Sequence, residues 1–191
     1  MSLRIVIADD EAVIRMGLRA MLEERGYAVV GEAADGRRAV ELVEKLRPDL
    51  IFLDIKMPGL DGLAAAEQVA AAHRVPVIIL TAYGDRALID RARETGVMGY
   101  LMKPLREADL EPAIQVALAR YRDLQALAEE VTDLQDALET RKLVERAKAA
   151  LMQRLGLSDE EAYRRIQTAS RAARRPMQEV AREVLAGRNL P

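Results

Sequence analysis

Through the first 119 residues, short apolar runs alternate with stretches whose apolar positions recur every three or four residues. The runs are LRIVIA (3–8), AVVGEA (28–33), LIFLD (50–54), VPVIILTA (75–82) and GYLMK (99–103). They are rich in Val, Ile and Leu and show little polar alternation, the pattern of strands covered on both faces. Between them, Val13, Leu18, Met21 and Leu22 recur near helical spacing before Gly26, and Ala39, Val40, Leu42, Val43 and Leu46 do so before Pro48. Leu63 to Ala72, and Ala87 to Arg93 before Gly96, complete the alternation. Five strand–helix units of this length predict an α/β fold, a flavodoxin-like (βα)5 doubly wound parallel sheet.

After Pro104 the pattern is helical to the end. Leu124, Leu127, Val131, Leu134 and Leu138 are spaced 3, 4, 3, 4, a heptad seam over about two heptads. No Pro or Gly lies between Pro112 and Gly156, so one long linking helix can run through the seam. Two uses of the seam are open at this level: packing on its own domain, or pairing with a second helix. The tail divides into three helical segments that predict a small all-α domain. Residues 141–155 carry Val144, Ala147, Ala150, Leu151 and Leu155; Ser158 and Glu161 form a capping box ahead of Ala162, Ile166, Ala169 and Ala173. Pro176 opens the last segment, with Val180, Val184 and Leu185, and Gly187 closes it. The expected divisions are 1–119, a helical linker over 120–140, and 141–191.

Composition narrows the chemistry. The chain of 191 residues has no cysteine and one histidine, which argues against thiolate sites, His-rich metal sites and a Ser–His triad. Aromatic residues are only 3%, so the core must be aliphatic. No apolar run approaches the roughly 18 residues of a membrane span, and the N-terminal stretch reaches acids by Asp9, unlike a signal peptide. A cytoplasmic protein without membrane contact is expected. The formal net charge of −2 argues at first against a nucleic-acid binder, but it is unevenly distributed. Residues 1–119 carry −4, residues 120–140 carry −4, and residues 141–191 carry +6.

In open parallel sheets, function gathers at the carboxyl ends of the strands. Here those ends bring Asp9 and Asp10, Asp54, Thr81 and Lys103 to one edge. Crowded carboxylates repel one another, and a hard divalent cation such as Mg²⁺ relieves this through oxygen ligands. A carboxylate so placed can be a nucleophile toward a phosphoryl group. Each feature also has a plainer use, since an acidic pair after a strand often caps a helix and a lysine before proline is commonly a surface residue. In combination, Asp9-Asp10, Asp54 within LDIKMPGLDG (53–62), Thr81-Ala82 and Tyr100 within GYLMKP (99–104) resemble a response-regulator receiver domain. The resemblance implies that Asp54 is the phospho-acceptor for a sensor histidine kinase. It also implies Mg²⁺ on Asp9, Asp10, Asp54 and the main-chain carbonyl of Lys56, phosphoryl contacts from Thr81 and Lys103, and Tyr100 as the switch aromatic. His73 is expected to be a surface residue and no phosphoryl donor.

The basic surplus is clustered. Arg141, Lys142, Arg146 and Lys148 fall on the first tail segment; Arg164, Arg171, Arg174 and Arg175 predict a stripe along the second, with Tyr163 beside it. Arginine and lysine meet phosphates and an exposed ring stacks on an unpaired base, which suits RNA; Tyr163 packed within the small bundle is the alternative. Residues 138–186 resemble an ANTAR domain through Leu138, Arg141, Glu145, Ala147-Lys148, Leu151-Met152, Ala162-Tyr163, Ile166, Ala169, Val180-Ala181 and Val184, with Ala149 where the family often has glycine. That resemblance implies a homodimer that binds RNA stem-loops and regulates transcription by antitermination. The rival readings are a protein–protein output without RNA, and a Mg²⁺-dependent phosphatase. The sequence offers the latter no substrate pocket beyond the acidic rim, so a non-enzymatic regulator is expected.

Overall fold

The computed structural model describes residues 2–72, 75–82 and 95–188. Five strands form one parallel sheet: β1 (Arg4–Ala8), β2 (Ala28–Ala33), β3 (Leu50–Asp54), β4 (Val77–Ala82) and β5 (Gly99–Lys103), in the order β2-β1-β3-β4-β5. The flavodoxin-like sheet expected from the sequence is present. The helix expected over Ala87–Arg93, and the surface position expected of His73, lie outside the described residues.

Alternation along the strands divides the core into two layers. Val6, Ala8, Ile51, Leu53 and Ile79 pack with α2 (Gly36–Leu46) and α3 (Gly62–Ala72). Ile5, Ile7, Leu50, Phe52, Ile78 and Leu80 face the other way, onto Leu18 and Leu22 of α1 (Ala12–Glu24) and onto Leu110, Ile114 and Ala117 of α4 (Glu107–Leu155). Phe52, the one phenylalanine, is fully buried. Local signals set the helix ends. Asp35 caps α2 by accepting the Arg38 N–H at 2.8 Å, and Arg47 ends it in the left-handed region just before Pro48. Val13 departs from the sequence reading: it is 81% exposed, because the buried face of α1 runs through Leu18 and Leu22.

Two compact units are formed, residues 1–124 and 125–191. In the second, the segment expected over 141–155 is no separate helix but the end of the 49-residue α4. Val144, Ala147 and Leu151 pack there with Ala162, Ile166 and Ala169 of α5 (Asp159–Ala173) and with Val180, Ala181 and Val184 of α6 (Met177–Leu185). Ser158 and Glu161 form the expected capping box. Leu155 and Ala173, apolar positions of the helical pattern, are exposed; each is the last residue of its helix, past the turns that the small core covers. The seam residues Leu124, Leu127, Val131, Leu134 and Leu138 are 45–64% exposed among the described residues. No described helix is long and apolar enough to cross a membrane.

Candidate functional site

Parallel pairing sets the carboxyl ends of β1, β3, β4 and β5 side by side. Asp9 and Asp10 follow β1, Asp54 is the last residue of β3, Thr81 lies in β4, and Lys103 ends β5. Oxygens of Asp9, Asp10 and Asp54 lie within 4.8 Å of one another. The Lys103 ammonium stands 2.7 Å from Asp9 Oδ2 and 2.8 Å from Asp54 Oδ1, with Glu11 Oε1 at 3.8 Å. The second oxygen of Asp54 accepts the Lys56 N–H at 3.0 Å. A cleft of about 240 Å³ opens over Asp10, Asp54, Lys56, Thr81 and Lys103.

The loop after β3 is folded tightly behind Asp54. Gly62 donates its N–H to the Ile55 carbonyl at 2.9 Å. A Cβ at Gly62 would stand 1.9 Å from the Asp54 carbonyl oxygen, so only glycine fits there. Gly62 lay within the quoted motif, but its reason, a close backbone approach, is visible only in three dimensions.

Electrostatically, the site is short of positive charge. Asp9 and Asp54 are buried, and among the described residues the Lys103 ammonium pairs with both, with Asp10 and Glu11 also lining the cleft. Burial pushes the Asp54 carboxyl up; Lys103 opposes this and Asp9 adds to it. Burial alone would lower the Lys103 ammonium, but its bonds to Asp54 and Asp9 hold it above the usual lysine value. Clustered hard oxygens with excess negative charge suit Mg²⁺, and the residues present fit that ion. Thr81 is buried, with its hydroxyl donating to the Ala82 carbonyl at 3.3 Å, and Tyr100 is 53% exposed on β5.

The basic tail is sorted by its partners. Lys148 is not displayed at the surface as the sequence suggests: it is buried, with Nζ 2.7 Å from Asp159 and 3.1 Å from Glu145, pinning α4 to the start of α5. The expected stripe is also shorter. Helix α5 stops at Ala173; Arg174 turns left-handed (φ 51°), and Arg175 lies beyond it, held by Glu179 at 2.9 Å and Glu183 at 3.0 Å. Arg164 pairs with Glu160 at 2.5 Å. Arg141, Lys142, Arg146, Arg171 and Arg174 are exposed and make no ion pair among the described residues, as is Arg165, which the sequence reading passed over. Tyr163 is 40% exposed, off the face formed by Ala162, Ile166 and Ala169.

Comparison with known proteins bears on both units. The family described as response regulator receiver domain matches residues 5–115, and the ANTAR domain matches residues 132–185. Transcriptional regulatory protein PdtaR of Mycobacterium tuberculosis is 49% identical over 182 residues, covering 95% of this chain and 89% of that protein. Among solved structures, the signal receiver domain of a modulated diguanylate cyclase from Desulfovibrio desulfuricans aligns with a TM-score of 0.60 at 32% identity, over 64% of this chain and 98% of that one. The receiver domain of a sensor histidine kinase from Pseudomonas aeruginosa, solved with magnesium coordinated in its active-site cleft, aligns with a TM-score of 0.57 at 33% identity, over 62% of this chain and 99% of that one.

Proposed function

We propose that this chain, which belongs to the response-regulator family and joins a receiver domain to an ANTAR domain, accepts a phosphoryl group on Asp54 and in response binds RNA stem-loops as a dimer. A receiver joined to ANTAR is a signalling module with an RNA-binding antitermination output, not an enzyme. The divisions we adopt are receiver 1–119, linker 120–140 and RNA-binding module 141–191. The observation that carries the reading is the carboxylate of Asp54, buried at the floor of the cleft with each oxygen already oriented, one by Lys103 and one by the Lys56 N–H.

Phosphoryl transfer depends mainly on positioning and on neutralising charge. An Asp54 oxygen forms the new bond to phosphorus as the bond to a histidine nitrogen of a sensor kinase breaks. Lys103, already between Asp9 and Asp54, balances the added negative charge. Asp9, Asp10, Asp54 and the main-chain carbonyl of Lys56 would hold Mg²⁺, which supplies further neutralisation at the same place. Thr81 turns its hydroxyl toward the phosphoryl oxygens, and Tyr100 follows into the space that Thr81 leaves. A new charge thereby biases a two-state surface.

The output follows from the tail. In a parallel second copy, Leu124, Val131 and Leu138 alternate with Leu127 and Leu134 along the contact. The flanks then oppose Asp123 to Ala128, Glu130 to Gln135, and Ala137 to Lys142, with no like-charge clash. Such a dimer presents two sets of Arg141, Lys142, Arg146, Arg165, Arg171 and Arg174, with Tyr163 for stacking. Arg164 and Arg175 join them by exchanging carboxylate partners for phosphates, while Lys148 serves the module from within.

The test is binding to an RNA carrying tandem hairpins, with unmodified and phosphorylated wild type and with Asp54→Asn. Phosphorylated wild type should bind tightest, and its affinity should fall steeply with salt, with a log–log slope of about −0.7 to −0.9 per phosphate contacted. Absence of RNA binding by the phosphorylated protein would overturn the reading.

A further inference from the structure

We propose that Arg15 is a positioning residue for the acid pair, fixing the main chain that aims both Asp9 and Asp10 at Asp54. This rests on the reading of the cleft as a Mg²⁺ and phosphoryl site. Successive side chains of an extended strand point to opposite faces. Asp9 and Asp10 are adjacent, yet both bring an oxygen within 4.8 Å of the Asp54 carboxylate. The chain must therefore turn sharply between the end of β1 at Ala8 and the start of α1 at Ala12.

That turn is held from two sides. On the inner side, Asp9 Oδ1 accepts the Glu11 N–H at 3.0 Å. On the outer side, Arg15 Nη1 donates to the Asp9 carbonyl at 2.7 Å and lies 3.3 Å from the Asp10 carbonyl. One guanidinium thus ties down both peptide planes that carry the acid pair. Its charge strengthens these bonds relative to those of a neutral donor.

Arg15 is itself held in place. Its buried Nε faces Glu32 Oε2 on β2 at 3.4 Å, an ion pair without a hydrogen bond, and the other oxygen of Glu32 takes Arg19 at 2.8 Å. Arg19 in turn donates to the Val29 carbonyl at 3.1 Å. The Arg15 side chain is only 18% exposed. The fork is the reason for arginine: one nitrogen addresses two carbonyls while another faces Glu32, and a lysine keeps the charge without the fork. Because Arg15 acts through backbone oxygens behind the cleft, it adds positive charge there without occupying a carboxylate as Lys103 does.

Calorimetric titration of the full-length protein with Mg²⁺ tests this, using wild type, Arg15→Gln, Arg15→Lys and Glu32→Gln far below their melting temperatures. Groups that orient metal ligands typically cost about 10- to 100-fold in affinity when removed. Arg15→Gln should weaken Mg²⁺ binding by that order, Arg15→Lys should recover part of it, and Glu32→Gln should show a smaller loss. A lowered melting temperature with unchanged Mg²⁺ affinity would mean a purely structural role and overturns the proposal. If Arg15→Gln does not fold, the same criterion applied to Arg15→Lys and Glu32→Gln decides. Wild type that takes up no Mg²⁺ overturns the reading of the cleft along with the role of Arg15; wild-type uptake matched by every variant overturns only the latter.

Discussion

Tyr27 and Arg174 show how single side chains set measurable properties. The Tyr27 hydroxyl donates to Glu111 Oε2 at 2.6 Å. Burial, and then that bond, push the phenol up to about 12, while the same bond holds Glu111 below its usual value. The folded state therefore keeps the Tyr27 proton at pH values where the unfolded chain has lost it. Its contribution to stability is complete below about pH 10 and disappears as pH rises toward 12. Ultraviolet titration should show one late-ionising tyrosine that Tyr27→Phe removes, and wild type should lose melting temperature faster than the variant between these pH values. Arg174 holds a left-handed backbone conformation at the end of α5, where glycine is unstrained. Arg174→Gly should raise stability by about 0.5–1 kcal/mol in thermal melts. In the same variant, RNA affinity should fall and its salt slope should shrink by about one contact. Opposite signs for the two readouts would separate the fold from the binding face.

Elements differ in how much of their arrangement is written locally. The inner strands β1, β3 and β4 were legible because burial on both faces leaves Val, Ile and Leu runs, and the partly exposed edge strands β2 and β5 by their place in the strand–helix alternation; only the starts of β1 and β4 moved, to Arg4 and Val77. The acid site was legible because each of its polar groups ends a strand. Arg15 was not, since its partners are backbone carbonyls, which no side-chain pattern marks. Val13 was misread because it lies five residues before Leu18, about 140° around the helix from it. Lys148 was misread because Asp159, its nearest carboxylate, stands beyond the Gly156 turn. Arg174 and Arg175 looked like helix surface because nothing in an Arg-Arg-Pro sequence fixes at which arginine the helix stops. The seam of α4 was legible as a pattern, and its side chains are about half exposed among the described residues. Replacing Leu127 and Leu134 together by Glu should abolish the proposed dimer in sedimentation velocity. Both side chains are more than half exposed, so the melting temperature of the monomer should hardly change.

For the whole molecule, the acidic cleft is a place where function costs stability. Burial and the Asp9 charge raise the Asp54 pKa, so the folded state disfavours the ionised carboxylate relative to the unfolded chain. Stability is then lost as pH rises from the ordinary carboxylate range through the raised Asp54 pKa. Asp54→Asn, which keeps the shape and drops the charge, should raise the melting temperature at pH 7. Added Mg²⁺ should raise that of wild type more than that of the variant, through preferential binding to the folded state. The aliphatic core has a consequence for observation. With Phe52 the sole phenylalanine and tryptophan absent, the protein is dark when excited at the red edge of the ultraviolet. Tyr100→Trp would put one lamp on the strand that ends at Lys103, so its emission should shift with phosphorylation against a background free of any other indole.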